Sequence, residues 1–178
     1  MIKSTLRTLA LATIVSATAF SAYAANPKVG GAAMYENKNI IENAVNSKDH
    51  TTLVAAVKAA GLVETLSGKG PFTVFAPTNA AFGKLPAGTV DTLVKPESKA
   101  TLTKILTYHV VAGKYNAADL KDGQKLKTVE GEELTVKMSG GKVMLMDAKG
   151  GSSTVTIADV NQSNGVIHVV DTVLMPKA

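Results

Sequence analysis

The chain contains no cysteine, which excludes disulfide staples, thiol chemistry and a lipid-modified cysteine. Small secreted animal domains often depend on disulfides, so this absence leans toward a bacterial exported or periplasmic protein. Charge of one sign is also scarce, since 19 basic residues oppose 14 acidic ones. The lysines are spaced singly from Lys28 to Lys177 and aromatics make up only 4% of the chain. A nucleic-acid surface gathers its cations and interleaves them with rings, so nucleic acid is not an expected partner. The apolar run from Leu9 to Phe20 is about a dozen residues, too short for a helix across a bilayer core of roughly 30 Å. None of the histidines are paired at metal-ligand spacing, and without cysteine no zinc site is expected. There is no internal repeat.

What is present begins with a leader. Lys3 and Arg7 precede that apolar run, and Ala22-Tyr23-Ala24 places small residues at the two positions a signal peptidase reads. Residues 1–24 therefore read as a signal peptide, giving a secreted or periplasmic product with no transmembrane anchor, expected to be a monomer. The remaining residues, 25–178, suffice for one domain with a sizeable core.

Residues 25–38, rich in Gly, Ala and Asn, read as an irregular arm, and the domain is expected over residues 39–178. Asn39 and Glu42 form a capping pair ahead of the stripe Ile40, Ile41, Ala44 and Val45. Leu53, Val54, Val57 and Ala60 share the face of a second helix that Gly61 stops. In residues 70–82, GPFTVFAPTNAAF, one strand face carries Phe72, Val74 and Ala76 and the other Thr73 and Phe75, the pattern of a buried central strand. Pro77 ends the pairing and Thr78 or Asn79 caps a short helix. Pro96 opens a helix carrying Leu102, Ile105, Leu106 and His109, which yields to a strand at Tyr108-His109-Val110-Val111. Short alternating runs punctuated by Gly123, Gly131 and Gly140-Gly141 read as hairpins. A strand over residues 155–157, a polar surface loop over residues 159–165 and the apolar strand of residues 165–176 close the chain. Helices first and strands later indicate an α+β fold.

Three motifs in order, TVFAPTNAAF at residues 73–82, LTYHVVAG at residues 106–113 and NGVIHVVDTVLMP at residues 164–176, resemble the fasciclin domain family. The chain is similar to its compact single-domain secreted bacterial members, among them the mycobacterial secreted antigens. The resemblance implies a β-sandwich or wedge with flanking N-terminal helices and a non-enzymatic adhesion module, without cofactor, that binds a protein or glycan on a cell surface or matrix. It places partner binding at Tyr108 and His109 with their flanking aliphatics, and at Asp159 and Val160, where the family carries an Asp-Ile pair.

The residues themselves offer no catalytic site. His109 sits among Leu106, Val110 and Val111, and His168 shares a strand face with Val166 and Val170, so both read as buried hydrogen-bonded core residues. Asp171 alternates to the opposite face from His168 and reads as a helix-capping or loop-tethering carboxylate. The stretch NQSNG at residues 161–165 lacks the first glycine of a hydrolase elbow and precedes a strand where the elbow precedes a helix. Gly150-Gly151-Ser152-Ser153 has no lysine or helix after it to cradle phosphate. The alternative function is binding of a small apolar ligand such as a lipid between helices and sheet, with Met138, Met144, Met146 and Met175 as its lining.

Overall fold

The computed structural model describes residues 26–86 and 88–177; the signal-peptide reading falls on residues 1–24, outside them. The described chain opens with a two-stranded hairpin, β1 (Lys28–Val29) and β2 (Ala32–Ala33), turned at Gly30 and Gly31, both with positive φ. The arm is thus not irregular throughout. Val29 and Met34 are buried in the main core, and two strands of two residues are too short to leave a period in the sequence. Next, α1 (Ile40–Ala44) starts on a complete capping box: Glu42 N–H donates to Asn39 Oδ1 at 2.9 Å and Asn39 N–H to Glu42 Oε2 at 2.8 Å. A 3-10 turn leads into α2 (Thr51–Ala60), which Gly61 ends in the left-handed conformation, and α3 (Val63–Ser67) follows.

The central strand β3 (Phe72–Pro77) is followed by α4 (Asn79–Gly83), capped by Thr78 Oγ1 accepting from Ala81 N–H at 3.2 Å. Then come α5 (Thr89–Leu93), α6 (Lys99–Tyr108), β4 (Val110–Ala112), β5 (Lys125–Lys127), β6 (Glu133–Ser139), β7 (Lys142–Met146), β8 (Ser152–Gln162) and β9 (Gly165–Val170). Tyr108 closes α6 and His109 is its C-cap, so the strand expected at residue 108 begins at Val110. The segment expected as a surface loop is largely strand. β8 runs to Gln162, pairing Val160 with Ile167 and Gln162 with Gly165 across two register shifts. Those bulges broke the two-residue alternation on which the strand would have been recognised.

Seven strands form one sheet in the order β4-β3-β9-β8-β7-β6-β5. Only β3 and β9 are parallel, with Val74 beside Ile167 and Phe75 beside His168. Their close start requires glycine, because a Cβ on Gly165 would lie 1.9 Å from Phe72 O. The sheet curls until its ends touch: Val111 bridges Thr128, and Val129 N–H donates to Val110 O at 2.7 Å. The fold is α+β, a barrel-like wedge with helices on one side.

β3 divides two apolar cores. Val74 and Ala76 pack with Leu53, Val57, Leu102 and Leu106 of the helices, while Phe75 points into the wedge with Leu134, Val136, Leu145 and Val170. Each of these buried Val, Leu and Phe side chains contributes about 1.5–3 kcal/mol. The two-sided apolar pattern of β3 follows from this position.

Candidate functional site

His109 is held where the last turn of α6 meets the C-terminal segment. Its Nδ1–H donates to Ile105 O at 2.8 Å, four residues back, and its Nε2 accepts from Leu174 N–H at 2.9 Å. These partners fix the neutral tautomer. Burial pulls the imidazole down to about 4, against the opposing pull of the Ile105 carbonyl and the Asp147 charge. Its neighbour Tyr108 is fully buried in the wedge core. The phenol donates to Glu133 O at 3.3 Å and accepts from Ala148 N–H at 2.9 Å. Burial pushes it up to about 12. Neither side chain is open to a partner, which corrects their placement on a binding surface. An apolar flank on both sides drew them inward, and each found its hydrogen-bond partners on the backbone.

The second expected pair is split by the bulge in β8. Val160 is fully buried in the helix-side core, while Asp159 is exposed. Asp159 has φ 57°, the only described residue other than glycine in the left-handed region, a conformation that Asp tolerates better than most. Two bonds hold it there. Its N–H donates to His168 Nδ1 at 3.2 Å, and its Oδ1 accepts from Ala117 N–H at 2.6 Å. His168 in turn donates from Nε2 to Tyr115 O at 2.6 Å and stacks on Phe75 with ring centroids 5.6 Å apart. Burial lowers its pKa below the ordinary histidine value. His168 thus joins the bulge of β8 to the segment after β4, and Asp159 is presented between them at the surface.

Two buried polar residues away from Asp159 escaped the sequence reading. His50 is buried, its Nδ1 2.8 Å from Ser47 Oγ and its Nε2 3.4 Å from Ala76 O, and burial lowers its pKa too. Asn164 accepts from Ile40 N–H and donates to Leu66 O and Gly68 O, fastening α1 and α3 to the β8–β9 turn. Asn164 lies in the stretch 159–165 expected as a surface loop, yet it is buried. Asp171 does tether, accepting from Thr154 N–H at 2.9 Å.

All three histidines are therefore neutral near pH 7, with both ring nitrogens engaged by the protein's own groups. Among the described residues no cluster of three His, Asp or Glu could hold a metal, and no helix is long and apolar enough to cross a membrane. Between helices and sheet lie two cavities of about 20 Å³ each, one beside Val29, Met34 and Val160, the other beside Val57, Leu66 and Leu106. Each has room for a single water-sized body, whereas ligand pockets run to roughly 300–1,000 Å³. None of the four methionines expected as a lining borders either cavity. Met138 is exposed, and Met144 and Met146 are half-buried on β7.

The fasciclin domain, as a family, matches residues 48–176. Protein sll1483 of Synechocystis sp. is 54% identical over 148 residues, covering 83% of this chain and 79% of that protein. The immunogenic protein MPB70 of Mycobacterium bovis is 41% identical over 140 residues, covering 76% of this chain and 67% of that one. Among solved structures, the FAS1 domain pair from the insect cell adhesion molecule Fasciclin I has a similar fold, with a TM-score of 0.69 at 19% identity. The match covers 78% of this chain and 51% of that one.

Proposed function

The chain belongs to the fasciclin domain family, and from that premise we propose that it is an exported, non-enzymatic adhesion module that recognises a protein or glycan on a cell surface or matrix. The observation that carries this reading is the way Asp159 is presented. A charged residue stands exposed in a left-handed bulge, held from beneath by His168 and from the side by Ala117 N–H. Recognition residues are commonly displayed in this manner, on an irregular segment fixed by a rigid scaffold. In this reading Asp159 meets the partner, while Tyr108, His109 and Val160 act by holding the scaffold in shape. The exported form starts at Ala25 and its domain is the span 39–178 with the N-terminal hairpin packed on it; intact mass of the exported protein checks the start.

Asp159→Asn separates the two roles, because Asn tolerates the left-handed region and retains an oxygen for Ala117 N–H while losing the charge. Folding stability is expected to stay within about 0.5 kcal/mol of the parent, and attachment to cells or matrix to weaken. Unchanged attachment would remove Asp159 from the recognition surface.

A further inference from the structure

Leu126, Leu134, Val136, Val143 and Leu145 point into the wedge, so alternation turns their neighbours on β5, β6 and β7 outward. That outer face carries Lys125, Lys127, Lys137 and Lys142 against one carboxylate, Glu133. Register places Lys125 opposite Thr135, Lys137 opposite Met144, and Lys142 opposite Ser139. Lys137 therefore lies one diagonal step from Lys125 on one side and from Lys142 on the other. Such steps span roughly 7–8 Å in an antiparallel sheet. The three lysines form a row that crosses the strands.

Glu133 is taken up by Lys125, 3.5 Å away, and stands opposite Lys127. Among the described residues, no carboxylate lies within ion-pair distance of Lys137 or Lys142. The acidic residues bordering the face turn their oxygens to backbone donors: Asp122 to Met138 N–H, Glu132 to Lys177 N–H, and Asp147 to Gly151 N–H. No residue of β5, β6 or β7 is aromatic, so the face has no ring on which a base or a neutral sugar could stack. Its complement is a partner with regularly repeated negative charge and no demand for stacking.

We propose that the outer face of the β5–β6–β7 meander binds a linear anionic polysaccharide, its sulfates or carboxylates matched to the row Lys125, Lys137 and Lys142. This rests on the reading of the chain as a binding module and adds to it a second surface, opposite in charge to Asp159. Such contacts displace counterions condensed on the polyanion, so affinity falls as salt rises.

Binding of the full chain to dextran sulfate, polygalacturonate and neutral dextran tests this, with the triple variant Lys125→Gln, Lys137→Gln, Lys142→Gln. A second triple variant, Lys58→Gln, Lys69→Gln, Lys95→Gln, removes equal charge outside the meander. The parent is expected to bind both polyanions but not dextran, and to weaken severalfold between about 50 and 200 mM salt. The meander variant is expected to lose at least about tenfold in affinity, with the control close to the parent. Equal loss in both variants, absence of polyanion binding, or tighter binding to duplex DNA or anionic phospholipid vesicles would overturn the proposal. Attachment of the parent to cells or matrix, measured alongside, separates the two readings. Attachment without polyanion binding removes only this surface; loss of both removes the adhesion reading as well.

Discussion

His109 Nε2 accepts the backbone N–H of Leu174 at 2.9 Å, a bond that spans 65 residues and ties the end of α6 to the strap that closes the fold. The opposite ring nitrogen is occupied by Ile105 O. Replacing the ring with a methyl group leaves a buried carbonyl and a buried amide without partners. His109→Ala is therefore expected to lower folding stability by roughly 1–3 kcal/mol, read from urea denaturation. A variant that denatures like the parent would refute the clamp.

The same residue gives the protein a dependence on acid. In the unfolded chain His109 titrates at 6.5 and in the folded one at about 4. Between those values the unfolded state binds more protons, so stability is full above pH 6.5 and declines as pH falls toward 4. The gap corresponds to about 3 kcal/mol. His50 and His168, also lowered by burial, act in the same direction. Denaturation midpoints at pH 7.5 and pH 4 should differ markedly, and less so in His109→Ala. At the alkaline end Tyr108, raised to about 12, should cost stability as pH climbs past 10.

Asp159 and its neighbour Val160 should behave as opposites. Val160 is fully buried and pairs with Ile167, so Val160→Ser places an unpaired hydroxyl in a shrunken site and should cost about 2 kcal/mol or more. Ile167→Ala should cost about 2–5 kcal/mol through the cavity it leaves. Thermal melts against Asp159→Asn decide whether the bulge separates surface from core.

Gly165→Ala should be among the most damaging single changes, because the added carbon would meet the Phe72 carbonyl at 1.9 Å and that carbonyl belongs to the adjoining strand. A loss of about 3 kcal/mol or more is expected, or failure to recover soluble protein. Near-parental denaturation would mean that β3 and β9 can part without cost.

Where a local rule was sufficient, the sequence was readable. The capping box of Asn39 and Glu42, the stop at Gly61 and the two-sided apolar pattern of β3 are each set by neighbours within a few residues, and all three are present. The burial of His109 and His168 was readable from their apolar flanks. Asp159 and Val160 were not readable as a pair, because register shifts around residues 157–160 invert the alternation that decides which side chain faces out. Nor could the polar character of Asn164 and His50 reveal burial, since Asn164 bonds to groups far along the chain and one ring nitrogen of His50 faces the distant Ala76 carbonyl.

The meeting of Val111 with Thr128 has a consequence for how copies of the chain meet one another. Open sheets carry unpaired edge strands, and an edge can recruit the same edge of another copy. Here the first and last strands are in contact, so each shields the other from a neighbouring molecule. Copies of the chain brought together at high concentration are therefore expected to touch through side chains at this seam without merging their sheets.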